Sequence, residues 1–342
     1  MPQKEIPFKQ VIAALLDDQK PFPPAYLQRF SDLNPSDLLE VKNAWPRVIA
    51  DRKVNLMEDL ENLMDSETLV DFSDLGRFVL ADPIPTVRAT AIRLLWEVED
   101  NKLIPTFLSI MEKDSDEVVR ATAATALGQY VYLGELEELA PAALSRVEDA
   151  LLKKVNSADA PLVRRRALES LGFSSRHEVP PLLRKFFNSV ENDWVASALY
   201  AMGHSADPQW EQDVLASITS PEPDIQLEAV RAAGSLEFSS ARQPLLDLLE
   251  NFERLDDEIR MAVIWSLSQV GGEDVRQILE KLAEETEDEE ELDLIDQAME
   301  NLDFNEGLEN LDLFDVSPED KDAFTTVIDL EEESSTDEDE SP

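Results

Sequence analysis

The stretch 82-DPIPTVRATAIRLLW-96 recurs 32 residues on as 114-DSDEVVRATAATALG-128, with Asp, Val, Arg, Ala and Leu in the same places. Looser copies follow at 162-LVRRRALESLG-172, 193-DWVASALYAMG-203, 224-DIQLEAVRAAG-234 and 258-EIRMAVIWSLS-268. Anchored on the small residue three after the Arg position, the copies fall at Ala91, Ala123, Ala167, Ala198, Ala229 and Val263, with spacings of 32, 44, 31, 31 and 34 residues. The one long spacing marks an insertion of about a dozen residues near 129–150. A fixed period of this length constrains the chain more than any single motif. Each copy must be one supersecondary unit that stacks on the next.

Between the copies lies a second apolar stretch, opened by Pro or a polar residue: 104-IPTFLSIMEK-113, 179-VPPLLRKFFNSV-190, 210-WEQDVLASI-218 and 243-QPLLDLLENF-252. Proline is tolerated in the first turn of a helix, where the N–H has no intrahelical acceptor. Each unit therefore reads as helix, short turn, helix. The apolar positions are too many for one neighbour, so a lone hairpin leaves its face bare. Stacking buries a continuous core and leaves a curved outer surface. The 81 residues before the array carry helix-like periodicity at 8–17, 24–31, 36–45, 47–65 and 67–80, broken by Pro21, Pro23, Pro24, Pro35 and Pro46. They read as degenerate units capping the stack.

This pattern resembles HEAT repeats, in the short variety also found in phycobilisome-lyase-like proteins. The residues that carry the likeness are Asp82, Val87, Arg88 and Ala91, then Asp114, Val119, Arg120, Ala123, Leu127 and Gly128, with weaker matches out to about 302. Val195 and Gln226 stand where the pattern has Arg, and Trp96 and Ser268 where it has Gly. The resemblance implies an all-α fold, an α-solenoid in which HEAT-like hairpins stack into a right-handed superhelix. It also implies that Asp82, Arg88, Asp114, Arg120, Arg164 and Arg260 form a structural ladder between adjacent repeats. Gly128, Gly172, Gly203 and Gly234 are expected to stop helices in a left-handed backbone. The organisation is then a capping region over 1–81, a repeat array over 82–302 and an acidic tail over 303–342.

Charge narrows the partners. Asp and Glu number 74 against 30 Lys and Arg, a formal net charge of −44. DNA, RNA and anionic lipid repel such a chain, whereas a basic protein is drawn to it. No apolar run is long enough to span a bilayer, and MPQKEIPFKQ holds no apolar signal core. With no Cys there are no disulfides, thiolate metal sites or cysteine nucleophiles, which fits a reducing, cytoplasmic setting. Residues 284–342 hold 26 acidic residues against Lys321 alone. Leu292, Ile295, Met299 and Leu302 keep helical spacing, which predicts a last amphipathic helix. From Asp303 on the spacing fails, predicting a largely disordered tail. Leu313, Phe314, Phe324 and Ile328 are interleaved there with acids, as in segments that dock a few apolar anchors on a partner.

Signals of chemistry are weak. His177 and His204 sit in corresponding loops without ligand spacing, and 177-HEVPP-181 lacks the second His of a metalloprotease helix. In 203-GHSAD-207, Asp207 stands where a nucleophile elbow needs Gly. In 303-DFNEGLENLDLF-314 the Gly is misplaced for a calcium loop, and Phe314 takes the place of the final Glu. No catalytic, cofactor or metal residue is therefore assigned. Trp45, Trp96, Trp194, Trp210 and Trp265 read as core, with Trp194 the one most suited to a partner-binding groove. The expected function is a non-enzymatic scaffold or adaptor for a basic protein, its oligomeric state open. The alternatives are a bilin-lyase-like, chromophore-handling component and an acidic chaperone or nucleic-acid mimic. The acidity could equally reflect a high-salt habitat.

Overall fold

Proline and aspartate set the helix starts in this chain. Pro85, Pro141, Pro161 and Pro223 each occupy the first turn of their helix, and the Asp116 carboxylate caps the next by accepting from the N–H groups of Val118 and Val119 at 2.9 and 3.2 Å. The computed structural model describes residues 6–67, 69–96, 98–249 and 255–310, and these hold α-helices and short 3-10 helices without a strand.

The array is built from hairpins. The first helices are α4 (Ser73–Val79), α6 (Ile104–Lys113), α8 (Pro141–Val155), α10 (Val179–Phe187), α12 (Glu211–Ser217), α14 (Arg242–Leu249) and α16 (Glu273–Glu285). The second helices are α5 (Pro85–Arg93), α7 (Glu117–Glu135), α9 (Pro161–Ser170), α11 (Asn192–Gly203), α13 (Pro223–Ser235), α15 (Asp257–Val270) and α17 (Glu289–Asn310). Each second helix packs on its own first helix and on the second helix of the next hairpin, so α5 through α17 form one row. The repeat anchors Ala91, Ala123, Ala167, Ala198, Ala229 and Val263 are all fully buried along that row. A small side chain there lets two helices on either side approach, which explains why that position recurs.

The N-terminal helices α1 (Phe8–Leu16), α2 (Pro35–Ala44) and α3 (Ala50–Ser66) continue the same geometry, with α3 against α5 and α2 against α4. They enclose their own apolar cluster around Phe30, Leu56, Met57 and Leu60, which meets the array's cluster at α5. A buried ion pair locks the junction. The Lys53 ammonium lies 2.7 Å from the Asp82 carboxylate, the two side chains 8% and 1% exposed, and the Trp45 indole N–H donates to the same carboxylate at 2.7 Å.

Two features differ from the sequence reading. None of Gly128, Gly172, Gly203 and Gly234 has a positive φ; among the described residues that backbone occurs just past the ends of α7, α11 and α13 at Glu137, Ala206 and Glu237, and also at Asp32, Gly271 and Gly272. The four glycines are points of close approach. A Cβ on Gly128 would lie 2.9 Å from the Ser170 hydroxyl, on Gly172 2.6 Å from the Ala201 carbonyl, on Gly203 2.9 Å from the Ala232 Cα, and on Gly234 2.8 Å from the Ser266 Cα. The missing side chain, not the backbone freedom, is what these positions use. The second difference is the last helix, which runs on through 303 to Asn310. Leu302 is buried on its apolar face, and an Arg276–Asp303 ion pair of 2.6 Å supports the next turn. The long repeat spacing is absorbed by length: α7 and α8 run to 19 and 15 residues.

Candidate interaction strip on the second-helix face

The charged positions of the repeat link neighbouring hairpins. Arg88 makes a two-pronged contact with the Asp114 carboxylate, Nε at 2.8 Å and a terminal nitrogen at 2.7 Å, while its other nitrogen donates to the Asp82 carbonyl at 2.8 Å. Arg120 repeats the arrangement, donating to Asp159 at 2.6 Å and to the Asp114 carbonyl at 2.9 Å. Arg164 donates to the Val155 carbonyl at 2.9 Å and lies 5.0 Å above the Trp194 ring. Arg260 pairs with Glu291 at 3.0 Å. Where Gln226 replaces Arg, its amide still donates to the Ile218 carbonyl at 2.9 Å. The side chain therefore caps a carbonyl at the end of the preceding helix, and the charge adds a link to the next hairpin.

These contacts set the acid strengths. Burial pushes Asp159 up, but the Arg120 guanidinium, the Ala160 N–H and Lys154 outweigh it and hold the carboxyl down at about 2. Asp82 and Asp114 are lowered in the same way, against burial, by Lys53 and by Arg88. Fixed donors aimed at a carboxylate favour its charged form.

Trp194 is buried, 5% exposed, stacked 4.2 Å from Phe186 beneath Arg164. Indoles open to solvent occur instead at Trp96, 44% exposed, and Trp265, 38% exposed. Each borders a hollow on the face of the second-helix row. The first hollow, of about 250 Å³, lies over α5, α7 and α9, with Trp96, Val118 and Leu162 on its walls and Arg93 and Arg166 at its rim. A smaller one of about 180 Å³ follows over α9, α11 and α13. The third, of about 500 Å³, lies over α11, α13, α15 and α17, between Tyr200, His204, Met261 and Trp265. Together they make a strip along the row. His177 is exposed, whereas His204 stacks on Tyr200 at 4.3 Å and meets Phe173 at 4.7 Å.

Sequence reasoning missed Trp96 and Trp265, although a signal existed: Trp96 stands where other copies have Gly, so a bulky ring replaces a close-approach point. Leu313, Phe314, Phe324 and Ile328 lie outside the described residues. Among the described residues no group of three or more His, Asp or Glu is placed to hold a metal ion, and no helix is long and apolar enough to cross a membrane.

The chain fits the family profile described as HEAT repeats at residues 77–157 and 212–299. No curated protein matches it. Among solved structures, the E. coli protein YibA is similar at 13% identity and a TM-score of 0.43, over 84% of this chain and 98% of that one. Human deoxyhypusine hydroxylase in complex with glycerol gives 16% and 0.33, over 77% and 95%. Kap121p bound to Pho4p gives 12% and 0.33, over 86% of this chain and 45% of that one. The recurring Arg and Ala positions, the paired helices they stack and the profile match agree, and the chain is a HEAT-repeat protein with an α-solenoid fold.

Proposed function

We propose that this protein is a non-enzymatic scaffold whose second-helix strip receives a partner protein carrying basic charge. The observation that carries the reading is the run of three hollows along one row, bordered by two solvent-open indoles. Exposed aromatics in preformed depressions are the usual anchors of protein interfaces. A chain of −44 adds long-range attraction for a basic partner, raising association rates by roughly 10–10³ at low salt. No particular contact favours the chromophore-handling or acidic-chaperone readings.

Affinity capture with the full chain, washed at rising ionic strength, tests this. Basic proteins should be recovered and released as salt screens the attraction. Salt-insensitive capture of acidic proteins overturns it.

A further inference from the structure

The two larger hollows differ in what their rims leave uncompensated. In the third hollow, Arg231 serves two carboxylates at once, Glu228 at 3.0 Å and Glu258 at 2.9 Å. One guanidinium between two carboxylates leaves one negative charge over. The second Glu228 oxygen is buried and accepts no hydrogen bond. Burial pushes the Glu228 carboxyl up, and the nearby Glu169 and Glu258 carboxylates add to the rise. An unsatisfied buried carboxylate oxygen is costly until a donor or cation meets it. Trp265, Met261 and Leu294 line the same hollow. An indole face with carboxylates close by suits a cation carried on an aliphatic stem.

Resting on the scaffold reading above, we infer that this hollow docks a basic segment of the partner, one Lys or Arg side chain lying along Trp265 and Met261 with its charge beside Glu228 and Glu258. Charge decides between the possible occupants. A second copy of this chain brings another −44, and the chain's own C-terminal stretch brings 26 acidic residues against one Lys. Both place like charges against Glu228 and Glu258. A basic peptide supplies the missing cation, and its stem covers the exposed indole.

The test is a binding titration with a fluorescently labelled peptide of alternating Arg and Gly, set beside its Asp–Gly counterpart, on the full chain. The parent should bind the Arg peptide and not the Asp peptide. Trp265→Ala and Glu258→Gln should each weaken binding by about ten-fold, while Trp96→Ala changes it by less than about two-fold. Because a variant can lose binding by misfolding, the Trp265 indole N–H resonance of the parent is followed as well. It should move with saturation. An unmoved resonance, or variants that bind as the parent does, overturns this site while leaving the scaffold reading intact. If no Arg peptide binds the full chain even at low salt, the basic-partner reading itself falls, and the site with it.

Discussion

The hollow over α5, α7 and α9 and the hollow over α11 to α17 occupy the same face of the same row, yet their rims are opposite in character. Around the first, Arg93 pairs with Glu61 and Arg166 with Glu169, so both cations have partners. Around the third, Glu228 and Glu258 share a single Arg231. The stacking of hairpins therefore provides places to bind, and a few rim residues decide what each place accepts. Fold likeness alone carries little about ligand for the same reason.

The comparison can be broken most severely from beneath. Asp82→Ala strips the buried partner from Lys53 at the edge of α5, and loss of about 3–5 kcal/mol in a denaturant titration is expected. Hydrogen exchange should show the first hollow opening well before the third. Gly172→Ala acts between them. Its methyl meets the Ala201 backbone, so a loss of about 1–3 kcal/mol and a shifted seam between α9 and α11 are expected by melting and by peptide-resolved exchange.

Two carboxylates give effects of opposite sign. Asp159 is held at about 2 in the folded chain against 3.8 unperturbed, so its contribution of about 2 kcal/mol is present above pH 4 and lost as the pH falls towards 2. Asp159→Asn should remove that amount at pH 7 and almost nothing at pH 2, measured by urea unfolding across that range. Glu228 is raised instead, so its folded-state penalty appears as the pH climbs through its own titration and disappears in acid. Glu228→Gln should stabilise the chain at pH 7 by about 0.5–1 kcal/mol, the smallest effect of the set. A loss of stability there would show that the Glu228 charge is already compensated.

Much of the architecture was legible because period and burial are tied. The repeat places a small residue at one helical position, and Ala91 through Val263 are all buried there. Asp159, which Arg120 meets, was hidden because it stands five residues before the next Arg where Asp82 and Asp114 stand six, whereas the places of Arg88 and Asp114 were legible from the recurring copies. Gly128 and its equivalents were not, since a glycine near a helix end looks the same whether it serves the backbone or makes room for a neighbour. The strip was hidden for a related reason. Trp194 and Trp265 both sit on second helices, and only the packing shows that one lies under Arg164 while the other faces solvent. The orphaned Glu228 oxygen lies beside a hollow lined by residues of α11, α13, α15 and α17, an arrangement that no local pattern encodes.

The glycines of the second-helix row have a consequence for evolution. Because Gly172 and Gly203 govern how near successive units lie, they set the distance between one anchoring point and the next. A residue change at such a spot would retune the reach of the whole platform, so that a ligand of fixed length could be gained or rejected with every contacting side chain left as it was.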